Sequence, residues 1–135
     1  MISSVKDGEQ TLGIIVYASF KPDEDSIRFL TPDDSSFQLG IMSRNTGYSV
    51  MAHVHRKVKR EIEQTQEVLF IRSGQCRVSF YSDKKKLVEE IDLKSGDIVM
   101  FISGGHAIRM MAKTDILEVK QGPYLGELDK ERFEI

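Results

Sequence analysis

The chain has 135 residues, a formal net charge of −2 and a single cysteine, Cys76. A chain of this length forms one domain that buries about two-thirds of its unfolded surface, enough for a core without covalent staples. One cysteine excludes an internal disulfide, the near-neutral balance excludes a broadly basic surface for nucleic acid, and no apolar run approaches the length of a membrane span. With no basic cluster ahead of an apolar stretch at the amino terminus, the expectation is a soluble, cytoplasmic protein that binds neither nucleic acid nor membrane.

In chain order, apolar residues alternate with period two or form short runs between clusters of Gly, Pro, Asp, Asn and Ser. That rhythm predicts an all-β chain. Strands are expected over residues 13–20, 36–43, 48–55, 57–63, 68–72, 76–81, 87–93, 98–102, 107–112 and 116–121. The breaks between them carry turn chemistry, as in Thr31-Pro32-Asp33-Asp34, Arg44-Asn45-Thr46-Gly47, Lys94-Ser95-Gly96-Asp97 and Ser103-Gly104-Gly105. Lys84, Lys85 and Lys86 read as a hairpin tip, and Cys76, alternating with Val78 and Phe80, as a small buried side chain. The segment 122–135 leaves the last strand through Gly122-Pro123 and is expected to pack across the end of a barrel through Tyr124, Leu128 and Phe133.

The three histidines of the chain are His53, His55 and His106. On a strand over 48–55, His53 and His55 point to the same face. Glu67 opens the apolar run Val68-Leu69-Phe70-Ile71, and His106 opens Ala107-Ile108. Neighbouring strands can therefore gather imidazole nitrogens and a carboxylate oxygen. Such donors suit a divalent transition metal (Fe, Mn, Zn, Ni or Co), whereas an all-oxygen cage suits magnesium or calcium. By alternation Ser49, Met51, Leu69, Ile71, Ile108 and Met110 share the ligand face, and Met51 and Met110 are expected to line the substrate cavity. Val50, Val54, Val68 and Phe70 face the other way and need a second sheet or a partner subunit to cover them.

The loop 56–66 carries Arg56, Lys57, Lys59 and Arg60, then Glu61 and Glu63. It is either a solvated charged hairpin or a wall at the cavity mouth, where Lys59 or Arg60 would meet an anionic group. No catalytic acid or base stands out; Glu61, Glu63 and Tyr124 are the only nominees.

The spacing Gly47, then His53-Val54-His55, then Glu67 and Gly74 resembles the first motif of the cupin superfamily, and Gly96-Asp97 leading through Ile98 to Phe101 and on to His106 resembles the second. The spacer between His55 and Glu67 is longer than usual in that family, which leaves Glu61 and Glu63 as alternatives to Glu67. Ile102 or Ser103 stands where the second motif commonly has proline. The resemblance implies a single-domain jelly-roll barrel (double-stranded β-helix) over 1–135, with amino-terminal strands within 12–43, the motifs across 47–110 and a packing segment at 122–135. It also implies a metal held by His53, His55, Glu67 and His106, and pairing into a homodimer. The implied activity is that of a metal-dependent isomerase, epimerase or dioxygenase acting on a small oxygen-rich anionic metabolite such as a carbohydrate derivative. A non-catalytic cupin that binds or senses a small ligand is the alternative. A metal-free cupin using histidine as a base would leave Glu67 pointing away from the imidazoles.

Overall fold

The computed structural model describes all 135 residues and contains ten β-strands and one 3₁₀ turn. The strands are β1 (Ile2–Asp7), β2 (Gln10–Val16), β3 (Ser26–Phe29), β4 (Gly40–Ser43), β5 (Glu67–Ser73), β6 (Gln75–Tyr81), β7 (Leu87–Lys94), β8 (Ile98–Phe101), β9 (Gly105–Met110) and β10 (Asp115–Lys120), followed by the 3₁₀ turn Gly126–Asp129. The chain divides into two compact units, one formed by Met1–Phe20 with Thr65–Ile135 and the other by Lys21–Gln64.

The first unit contains two antiparallel sheets, β1-β2-β8-β5-β10 and β7-β6-β9. Both are open, with free edges at β1, β10, β7 and β9, rather than a barrel closed by hydrogen bonds. Alternate residues point into one shared core: Leu69 and Ile71 of β5 and Val99 and Phe101 of β8 meet Cys76, Val78 and Phe80 of β6 and Leu93 of β7, all buried. The Phe80 and Phe101 rings pack with centroids 5.6 Å apart. Burial of such side chains stabilises the unit by about 1.5–3 kcal/mol each, which makes this apolar layer the main force holding the two sheets face to face. Burial also raises the Cys76 thiol pKa, with Asp92 and Asp97 adding to the effect, so the residue fills space as expected.

Ladder register aligns Val5, Gly13, Phe101, Glu67 and Lys120 in one row across the larger sheet, while Phe80 lies opposite His106 in the smaller one. At Gly13 an added Cβ would stand 2.5 Å from the Phe80 ring and 2.8 Å from the Met100 carbonyl oxygen. Glycine is required there by the close approach of the two sheets.

In the second unit β3 and β4 form a two-stranded sheet, and Gln38 organises the loop between them by bonding Thr31 Oγ1 at 2.8 Å and donating to the carbonyls of Pro32 and Ser35. Beyond β4, Arg44 pairs with Asp25 at 3.4 Å and lies over the Tyr48 ring at 4.4 Å.

The expected strands over 48–55 and 57–63 do not form; these residues have no regular structure and are exposed. Their alternation is strand-like, but a strand persists only against a partner edge, and the sole ladder of this unit joins β3 to β4. Conversely β1 and β3 escape the apolar pattern. β1 buries only Val5 and is carried by its ladder to β2, through the two-residue turn Gly8-Glu9 with Gly8 at φ 61°. Gly8 at the first position of the two-residue turn is the hairpin signal that marks it. Tyr124, ahead of the 3₁₀ turn, and Leu128, within it, do not pack as expected, being 87% and 91% exposed, and the turn buries no side chain; Phe133 does pack, edge-on against Tyr81 at 5.2 Å.

Candidate functional site

Glu67 begins β5 and His106 lies near the start of β9, so the two residues belong to different sheets of the first unit. Their side chains meet between the sheets, with His106 Nε2 3.2 Å from Glu67 Oε2. The His106 ring stacks on Phe101, with centroids 3.7 Å apart and planes within 6°. Phe101 is buried and is the cross-strand neighbour of Glu67, so one aromatic ring of the core sets the height of the carboxylate and the plane of the imidazole together. Phe101 was not singled out from the sequence; its place at even spacing from the buried Val99 was the available signal.

The Glu67 side chain keeps 12% of its exposure and that of His106 30%. The hydrogen bond from His106 holds the Glu67 carboxyl below its ordinary pKa of 4.5, outweighing the opposing effect of burial, with His106, Lys120 and Lys130 adding attraction. A carboxyl with a lowered folded-state pKa contributes stability that is present at neutral pH and is lost as pH falls through the lowered value. Glu67→Gln is therefore expected to flatten the acid limb of a urea-midpoint profile below about pH 4.5. An unchanged acid limb would show that this contact contributes nothing to stability.

Around the pair lies a cleft of about 620 Å³, lined by Ile108 and Glu118 from the strand edges and by Asp129, Lys130, Glu131 and Phe133 from the carboxyl-terminal segment. The expected inward face is present in part: Leu69 and Ile71 are buried, Ile108 packs against the core, and Met110 lies on the same face of β9 but is half exposed, whereas Ser49 and Met51 are exposed on a segment that forms no strand.

The other two histidines belong to the second unit. His53 and His55 lie edge to face with ring centroids 5.2 Å apart. His53 Nδ1 is 2.8 Å from the Met51 carbonyl oxygen, and since that oxygen only accepts, Nδ1 donates, which in the neutral ring leaves the lone pair on Nε2. That is the arrangement of a metal-ligating histidine, whose second nitrogen is commonly tied to a carbonyl. Met51, Lys59, Arg60, Glu61 and Glu63 are exposed in the same unit. Each unit thus holds one pair of the expected donors, and within neither unit does a third imidazole, thiol or carboxylate join that pair to make a group able to hold a metal ion.

No helix is long and apolar enough to cross a membrane. Compared with protein-family models, curated proteins and solved structures, the chain matches none of them.

Proposed function

We propose that this protein is a metal-binding jelly-roll protein of the cupin type, in which Glu67 and His106 supply two donors to a divalent transition metal. The observation that carries the reading is the Glu67–His106 contact. Residues far apart in sequence, which the cupin resemblance implies as ligands, stand 3.2 Å apart between two sheets. Two donors each about 2.1 Å from one ion and at right angles are about 3 Å apart, so the spacing fits shared ligation. A carboxylate turned away from the imidazole, as a metal-free histidine base would have it, does not describe this contact.

The activity that suits this donor set is isomerisation, epimerisation or oxygenation of a small oxygen-rich anion such as a carbohydrate derivative. The metal, when bound, would polarise a substrate oxygen. The chain's own contribution is to hold the carboxylate and imidazole at fixed height on Phe101 and to limit water between the sheets. Met110, half exposed on the same face of β9 as His106, is proposed to line the cleft, and Lys59 and Arg60, exposed in the second unit, are proposed to bind an anion. Elemental analysis after purification without added metal, followed by titration of Zn²⁺ or Co²⁺, tests the reading. Glu67→Gln and His106→Ala are each expected to weaken binding at least about tenfold, or about 1.4 kcal/mol. Equal affinity in both variants and the parent would refute it.

Metal removal should lower the melting temperature without unfolding the chain at room temperature, because the apolar core of the first unit is complete in itself. A calorimetric scan with and without chelator measures this, and an unfolded apo form would contradict it.

Pairing into a homodimer is proposed on the outer face of the larger sheet. Phe70 lies opposite Leu117 there, and they are 37% and 54% exposed. Phe70→Asp should convert a dimer to a monomer in sedimentation experiments; an unchanged sedimentation coefficient would remove this face from the interface.

A further inference from the structure

Beyond its 3₁₀ turn, the carboxyl-terminal segment runs along the mouth of the Glu67–His106 cleft and supplies Asp129, Lys130, Glu131 and Phe133 to its lining. It is fastened at two places. At the near end Thr65 Oγ1 donates to Asp129 Oδ1 at 2.5 Å, with Lys120 Nζ 3.9 Å from the other oxygen. At the far end Phe133 lies edge-on to Tyr81 at 5.2 Å, and the Lys85 ammonium, 2.5 Å from Glu131, stands over the Phe133 ring at 5.7 Å.

The far fastening fits its seat. A Cβ at Gly105 would come 3.1 Å from the Phe133 ring, so the ring rests directly on the β9 backbone beside His106. Between and beyond the fastenings little else holds the segment: Leu128 and Ile135 are exposed, and no residue of the 3₁₀ turn is buried. Beyond the part-buried anchor at Asp129, residues 130–135 are held by one aromatic contact and by exposed ion pairs at Glu131 and Arg132, and a stretch held in this way belongs to the least stable part of a fold and detaches without global unfolding.

We propose that residues 130–135 are a releasable strap across the cleft, and that detachment of Phe133 from Tyr81 and of Glu131 from Lys85 widens access to His106, whose side chain keeps 30% of its exposure with the strap in place. The device concerns the cleft whether or not a metal occupies it, so its test uses no metal and stands apart from the ligation reading. The full-length protein is treated with diethyl pyrocarbonate, and acylation of each histidine is followed by peptide mass spectrometry. His53 and His55, exposed in the second unit, serve as internal references. An edge-on aromatic pair stabilises the closed strap enough that Phe133→Ala should speed His106 acylation roughly two- to tenfold while His53 and His55 keep their rates. Lys85→Ala, a change at an exposed hairpin tip, should act in the same direction by a smaller factor, and Phe133→Tyr should stay near the parent rate. Equal His106 rates in parent, Phe133→Ala and Lys85→Ala would overturn the proposal. So would a parallel rise at all three histidines, which reports general loosening rather than release of the strap.

Discussion

Phe101→Ala is expected to cost about 3–5 kcal/mol of stability, the usual loss when a buried aromatic side chain is truncated. The site makes this more than a core deletion. Phe101 is 3% exposed, packs against Phe80, and carries the His106 ring stacked at 3.7 Å. Its removal opens a cavity between the sheets and leaves the imidazole without the surface that fixes its plane. Phe101→Leu separates the two effects, because it retains much of the apolar volume but provides no aromatic face. Urea denaturation should show a small loss for leucine and a large one for alanine, whereas the imidazole resonances of His106 should broaden in both. If the leucine variant left those resonances sharp and unshifted, the stack would have no part in orienting the histidine.

Asp97→Ala should cost about 3 kcal/mol or more. Asp97 is 2% exposed, and its two carboxylate oxygens accept from Ala18 N at 2.8 Å and Lys94 N at 2.9 Å. Hydrogen bonds to a charged group contribute about 1.5–3 kcal/mol each, and truncation leaves two backbone donors without acceptors in a protected turn. The turn is also tied to β5, with Gly96 N donating to Ile71 O at 2.7 Å and Ile71 N to Asp97 O at 2.9 Å. Gly96 has φ 92°, a conformation open to glycine, and its missing Cβ avoids Ala18 at 2.7 Å. Asp97→Asn should fall between parent and alanine, since it keeps one acceptor but turns an amide group toward a backbone donor. A midpoint for Asp97→Ala equal to that of the parent would show that water replaces the carboxylate at no cost.

The same turn shows how much of the fold was legible. Lys94-Ser95-Gly96-Asp97 reads as a turn from residue chemistry alone, and the strands beside it appear within a residue or two of their expected bounds, because β7 turns alternate residues such as Ile91 and Leu93 inward and β8 is a continuous apolar run buried at Val99, Met100 and Phe101. β1 lacked that signal: edge strands satisfy one side of their backbone and bury few side chains, so their composition resembles a loop. At 48–55 the failure runs the other way. Tyr48, Val50 and Val54 alternate as in a strand yet are 51%, 54% and 87% exposed. Periodicity reports which face a strand would bury and is silent on whether an edge is available to receive it.

The site divides along the same line. Places at the start of apolar runs and the cupin resemblance point to Glu67, with Glu61 and Glu63 as alternatives, and to His106, and the residue types fix what donors they offer. Only the tertiary structure decided that β5 and β9, in different sheets, bring those donors to 3.2 Å, because this distance depends on how closely two sheets approach over Gly13, Phe80 and Phe101. The cleft lining was likewise out of reach of the sequence. Lys85 and Glu131 lie far apart along the chain and meet because a hairpin tip and a carboxyl-terminal segment converge. Local pattern determines which residues can form strands and which side chains face inward; long-range packing determines which strands pair and which of those side chains touch.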